Sequence, residues 1–283
     1  MLSILLIAAG AFFSEVATSL GKEEVARRKE TIFTYGFLSL FLSTIVFLLI
    51  AVFVRGEFVF SLQSLPTLSL RAVLEILQAY VSIKAITTAD RSTYGFLRIL
   101  TIPLLLLVDI GLSYDITLNQ IVGVCILTAS IFFLLLNHGL RTKGIWLVLF
   151  SAVNAVITLS LFKYNITYFN SVEADQSIIQ GILLLYFGGM VWRTKGQNPL
   201  RLLLKPLFFF QSLSQAAGGV LVSFAYLFVP ASVAVSIERP TSVFFSLLSG
   251  NRYFHEKKLA QKLLAFLLLL VGFAFLAGFP ALG

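Results

Sequence analysis

The chain has 283 residues, 58% of them hydrophobic and 12% charged, with a formal net charge of +8 and a mean hydropathy of +0.95. The apolar share exceeds the roughly 45–50% of soluble domains, which excludes a soluble globular fold. One cysteine, Cys125, excludes an intrachain disulfide and reads as a small buried hydrophobe.

Ten apolar segments recur along the chain, each close to the roughly 20 residues that cross a bilayer core as a helix. They are predicted over 2–20, 31–54, 66–87, 92–110, 117–137, 144–162, 175–192, 206–228, 231–250 and 260–279. The connections between them are too short for a soluble domain, so the expected fold class is an all-α membrane protein with ten transmembrane helices. The first segment lacks a basic leader and a small-residue cleavage site, and is kept as a helix. It carries a lone carboxylate, Glu15. The third places Arg71, Glu75, Gln78 and Ser82 at spacings of 4, 3 and 4, one face of an α-helix that should look inward. In the fourth, Tyr94 precedes Arg98 by one turn. The eighth carries Gln211 and Gln215, followed by Gly218 and Gly219, which suit close helix packing. The ninth holds SIERPT, where Glu238 and Arg239 stand before Pro240, a residue that removes a backbone donor and should bend or open the helix.

Basic residues gather after alternate segments: Lys22, Arg27, Arg28 and Lys29; Arg141 and Lys143; Arg193, Lys195, Arg201 and Lys205; Arg252, Lys257, Lys258 and Lys262. The positive-inside rule puts those loops in the cytoplasm and both termini outside. A shift of 141 positions lays Arg98 on Arg239, Asp115 on Glu256, Gln120 on Gln261 and Lys22 on Lys163. The expected organisation is therefore two five-helix repeats, residues 1–141 and 142–283. An odd helix number per repeat makes the second copy enter from the opposite side, giving inverted repeats, an architecture of carriers that expose one site to each side in turn.

In this arrangement the chain resembles the drug/metabolite transporter superfamily, in particular its EamA-type members. The likeness runs from GAFFSEVATSLGK to LLLLVGFAFLAGF, and includes an acidic turn before each repeat's last helix, Asp115 with Gly123 and Glu256 with Ala265. The proline of the fourth helix appears as Pro240, while the first half has Ile99 there and Pro103 four residues on. The resemblance implies a secondary carrier for small metabolites such as amino acids, commonly an exporter, in the cytoplasmic membrane. Its usual orientation has both termini inside, opposite to the charge count. Glu15 is similar to the first-helix glutamate of the small multidrug resistance proteins.

Ionisable groups at bilayer depth cost about 2.5–3.5 kcal/mol on insertion scales and mark cavities or partners. The expected binding residues are Glu75, Gln78, Tyr94, Arg98, Gln211, Gln215, Glu238 and Arg239, with Arg239 holding an anionic group and Glu238 a cationic one or a proton. Adjacent on a helix, these two should point apart, each with its own partner. The alternative is an ion pair that locks helices together. Glu15 is the candidate for proton coupling, or pairs with Lys84 or Arg98. Arg71 either pairs with Glu75 or lies near the membrane surface. Glu173 and Asp175 read as surface charges, and Asp115 and Glu256 as caps of their own helices. His138 and His255 lack metal-ligand spacing, and no cofactor or metal is expected. No HExxH, GxSxG or P-loop motif points to an enzyme or to ATP as the energy source. The expected partners are a small-molecule substrate, the lipid bilayer and a coupling proton, in a monomer or homodimer. No element suited to nucleic acid is present. A non-transporting scaffold or receptor is the alternative function.

Overall fold

The computed structural model describes residues 2–27, 29–111, 118–137, 143–194, 197–229 and 231–276. Helix α1 (Leu2–Ala26) turns sharply into α2 (Ile32–Leu49), where the Thr31 hydroxyl accepts the Thr34 N–H at 3.1 Å and satisfies one of the free donors of the new helix. The π-helical turn Ile50–Arg55 follows, ending at Gly56 with φ 70°, a conformation that glycine reaches without a side-chain clash. Next come the 3-10 turn Leu62–Ser64, α3 (Leu65–Thr88), α4 (Arg91–Arg98), α5 (Thr101–Gly111) and α6 (Leu118–Leu136). The second half holds α7 (Ile145–Tyr168), α8 (Val172–Arg193), the short α9 (Pro199–Leu203), α10 (Pro206–Ala225), α11 (Ala231–Arg252) and α12 (Leu259–Leu276). No strand occurs among the described residues.

Among the described residues, six stretches are long and apolar enough to cross a membrane: Leu2–Ala26, Ile32–Val54, Arg91–Val108, Ile145–Tyr168, Val172–Arg193 and Pro206–Ala225. The chain reads as a multi-pass membrane protein on this ground. Helices α3 and α11 fall outside this set; each carries three charged residues, Arg71, Glu75 and Lys84 in one and Glu238, Arg239 and Arg252 in the other. The apolar stretches of α6 and α12, Ile121–Leu134 and Leu259–Phe275, are shorter. The surface fits a lipid solvent: Phe53, Leu185 and Trp192 are 78%, 80% and 86% exposed, while Arg91, Glu173 and Asp175 are fully buried. Cys125, expected inside, is exposed on α6 among these outward residues.

Helix α1 packs on α10 and α11, α2 on α8 and α10, α3 on α7 and α8, α4 on α7 and α11, and α6 on α12. Small residues set the closest approaches. A Cβ on Gly218 would lie 2.8 Å from the Gly10 carbonyl oxygen, and one on Gly272 3.0 Å from that of Gly123, so backbones touch across α1–α10 and α6–α12.

The fourth predicted span, 92–110, is broken between α4 and α5. Pro103 has no N–H to give the Ile99 carbonyl and its ring crowds it, so the chain tightens: Ile102 N–H donates to Ile99 at 2.8 Å. The Thr101 hydroxyl then takes the Arg98 carbonyl at 2.6 Å. No such break occurs at Pro240, where a bend or an opening is expected. Helix α11 runs unbroken through it, with the Thr241 hydroxyl donating to the Ile237 carbonyl at 2.8 Å.

Candidate functional site

A cavity of about 270 Å³ lies in the middle of the bundle. Its walls come from the first half of α3 (Arg71, Glu75), the end of α4 (Arg98), α7 (Phe162), the first half of α8 (Gln176, Gln180), the second half of α10 with the turn after it (Gly218, Ser223, Tyr226), and α11 (Glu238, Arg239). Of the residues expected to bind cargo, Glu75, Arg98, Glu238 and Arg239 meet here. The break after Arg98 ends α4 at the cavity wall, so that this arginine projects from a helix terminus rather than from the side of a continuous rod.

The charges are organised as pairs. Arg71, 2% exposed, donates to Asp175 and lies 3.5 Å from a Glu75 carboxylate oxygen, with its guanidinium 4.6 Å from the centre of the Phe162 ring. Arg71 is therefore neither at the surface nor paired with Glu75 alone. Asp175, expected on the surface with Glu173, is fully buried, as is Glu173, and accepts a second bond from Asn170 Nδ2 at 3.3 Å. Glu238 and Arg239 were expected to point apart. They pair with each other at 3.0 Å, because two long side chains can fold toward one another into the cavity despite the 100° between their stems. Arg98 donates to the Tyr94 hydroxyl at 3.0 Å and has no carboxylate partner among the described residues. Among the described residues, four buried donors around the cavity, Arg71 Nε, Arg98 Nε, Arg239 Nε and Tyr226 Oη, have no hydrogen-bond partner. Left so, each costs desolvation energy; a ligand oxygen or water would satisfy them.

The other expected site residues lie elsewhere. Tyr94 sits behind Arg98 and outside the cavity wall. Gln78 donates to Ser151 at 2.9 Å and Ser82 at 3.1 Å and accepts from Asn154 at 3.0 Å, so the polar stripe of α3 divides: its first half faces the cavity and its second docks on α7. Gln211 is fully buried near the start of α10, 3.5 Å from Glu30. Gln215 is half-buried and does not line the cavity. Glu15 is not a lone carboxylate, nor is its partner Lys84 or Arg98. It accepts from Arg91, a fully buried guanidinium, and from the Ser249 hydroxyl at 3.4 Å.

No family model matches the chain, and no curated protein sequence does either. No group of three or more His, Cys, Asp or Glu among the described residues could hold a metal ion. The expected caps divide as well: Asp115 and His138 lie outside the described residues, and Glu256 caps α4 rather than its own helix, accepting from the N–H of Ser92 at 3.3 Å. Three cavity or network residues, Arg91, Asp175 and Tyr226, were missed from sequence. Arg91, Tyr94 and Arg98 share one face at spacings of 3 and 4, a signal that was present; Asp175, three residues into an apolar helix after a serine cap, looked like a helix-start charge.

Proposed function

We propose that the chain is a secondary carrier of small polar metabolites, an EamA-like member of the drug/metabolite transporter superfamily that works by alternating access in the cytoplasmic membrane. The observation that carries this reading is the central cavity, walled by both halves of the chain and holding charges of both signs. Charged groups at membrane depth are costly, and a scaffold gains nothing from arranging them around an empty space. A volume of about 270 Å³ suits a metabolite rather than a drug-sized ligand.

Ten crossings in two inverted repeats, with α4 and α5 forming one crossing, are the architecture this reading adopts. The packing agrees with a 141-residue shift: α1 on α10 corresponds to α7 on α3, α2 on α10 to α8 on α3, and α1 on α11 to α7 on α4 and α5, while α2–α8 and α6–α12 map onto themselves. The lysines agree too. Lys22 donates to the Ala89 carbonyl after α3, and Lys163, its counterpart, to the Tyr226 carbonyl after α10 at 2.6 Å. Two equivalent halves around one cavity are what rocking between two exposures requires.

The test is counterflow exchange in proteoliposomes loaded with pooled metabolites, following labelled amino acids, with Arg239→Ala as control. Uptake that depends on the internal pool and disappears in folded Arg239→Ala supports the carrier. Absence of exchange with every pool, from protein shown to be folded, overturns it.

A further inference from the structure

A buried ionic network lies between the cavity and one end of the bundle. The cavity draws on the first halves of α3 and α8 and the second halves of α7 and α10, with Ser14 and Glu238 from the middles of α1 and α11. The network joins α1, the start of α4, the end of α11 and the α11–α12 connection, the end at which the basic loops emerge. Its members are Glu15, Arg91, Ser92, Ser249, Glu256 and Lys262. Arg91 donates to Glu15, and Ser249 reaches the same oxygen. The Glu256 carboxylate accepts from the Arg91 N–H at 2.5 Å, from the Ser92 hydroxyl, and from Lys262 at 3.0 Å. Helix α11 accommodates this only through glycine: a Cβ on Gly250 would stand 2.8 Å from the Glu256 carboxyl carbon.

The 141 shift shows how one-sided this is. At the matched positions stand Val156 for Glu15, Ser232 for Arg91, Val108 for Ser249 and Ile121 for Lys262, while Glu256 keeps an acidic counterpart, Asp115. The Glu15–Arg91 pair thus has neutral residues in both counterpart places, and the buried pair toward the other end is a different one, Arg71 with Asp175 between α3 and α8. Drawing α4 away strips the buried Glu256 carboxylate of the Arg91 N–H, the Ser92 N–H and the Ser92 hydroxyl, whereas apolar surfaces part at a cost proportional to area.

We propose, resting on the carrier reading above, that the Glu15–Arg91–Glu256 network is the closed gate at the basic end, and that its breakage is the step that opens the cavity to that side. The gate is shut in this conformation, with the Glu256 carboxylate seated on the start of α4. Rocking of the repeats then has a defined obstacle: Glu256 on the α11–α12 connection must leave Arg91 and Ser92 at the start of α4, and Ser249 on α11 must leave Glu15 on α1. The gate residues act by holding helices and do not touch cargo.

The experiment reads conformation and does not depend on the substrate. In a Cys125→Ser background, Ser223→Cys places a thiol on the cavity wall, and a membrane-impermeant maleimide is applied to oriented vesicles from either face. With the network intact, labelling is expected from the face opposite the basic loops. In Glu256→Gln and in the charge-neutral pair Glu15→Gln/Arg91→Gln, labelling from the basic face should rise roughly tenfold. Unchanged sidedness in both folded variants overturns the gate, as does wild-type protein that labels equally from both faces. Counterflow on the same vesicles separates the two readings, since loss of exchange with altered sidedness leaves the gate standing, and exchange without altered sidedness removes only the gate.

Discussion

Arg91 and Glu15 form an ion pair between α4 and α1 with the guanidinium fully buried, so each charge depends on the other. Removing one partner strands the second in a medium that solvates it poorly, at a cost of about 3–5 kcal/mol. Arg91→Met is expected to lower the melting temperature of the detergent-purified protein strongly, and Glu15→Gln/Arg91→Met to recover much of the loss. An Arg91→Met protein that melts like the wild type would mean that water reaches the pair.

Two neighbouring glycines should differ sharply. The added Cβ of Gly218→Ala meets the Gly10 carbonyl oxygen and the Ser14 nitrogen, each at 2.8 Å, backbone atoms that cannot yield without separating α1 from α10. That of Gly219→Ala meets nothing nearer than the Ser43 hydroxyl at 3.5 Å. Overpacking predicts a loss of about 1–3 kcal/mol for Gly218→Ala, and little change for Gly219→Ala, read by thermal melting of the two variants side by side.

The sequence reading located the helices well and their partners poorly, for a physical reason. Hydropathy over about 20 residues reports the solvent around a helix, and a bilayer imposes that signal strongly. The pairing of charges is decided by which helices become neighbours, and that is not written locally. Asp175 finds Arg71 over 104 positions and Glu15 finds Arg91 over 76. Periodicity still gave half an answer on α3, whose stripe does face inward, although Gln78 went to α7 and Glu75 to the cavity. Pro240 and Pro103 teach the same lesson. A proline marks where a helix lacks a bond, but the surroundings decide whether it breaks, as after Arg98, or continues, as through α11.

Glu30, in the turn between α1 and α2, gives a pH dependence with a definite sign. Burial pushes its carboxyl up from the ordinary 4.5 to about 8, against the opposing Gln211 hydrogen bond and with help from the Glu24 charge. Between those values the folded protein keeps a proton that the unfolded chain has lost, so this group's contribution falls as pH rises from 4.5 to about 8 and is flat beyond. Glu30→Gln should be more stable than the wild type at pH 8 and nearly equal near pH 4.5. Parallel wild-type and variant melting curves across that range would place Glu30 in contact with water.

Glu256, in the α11–α12 connection, has the reverse sign. Burial alone would raise its carboxyl, but the Ser92 hydroxyl, Lys262 and the Arg91 N–H outweigh it and hold it below its ordinary range. Its contribution is complete above the ordinary value of 4.5 and is lost as pH falls through the depressed one. Acid-induced loosening of the α4 start should therefore be seen in the wild type and be absent from Glu256→Gln, which begins in the loosened state. Hydrogen exchange of the Arg91 and Ser92 amides measures it; equal protection in both proteins at all pH values would remove the capping role.

The two carboxylates that share Arg71 should separate stability from transport. Asp175 is fully buried and holds Arg71 directly, whereas the Glu75 side chain is 20% exposed at the cavity and only 3.5 Å from Arg71 at its nearest. Asp175→Asn leaves the guanidinium with its weaker partner and is expected to cost about 3–5 kcal/mol of stability. In Glu75→Gln the Arg71–Asp175 pair survives, so the loss of stability should stay within about 1 kcal/mol, while exchange in proteoliposomes is abolished if Glu75 holds cargo. Melting curves and counterflow on the same two preparations decide it. Full exchange by a stable Glu75→Gln protein would make this carboxylate a part of the Arg71 support and move cargo recognition to Arg98 and Arg239.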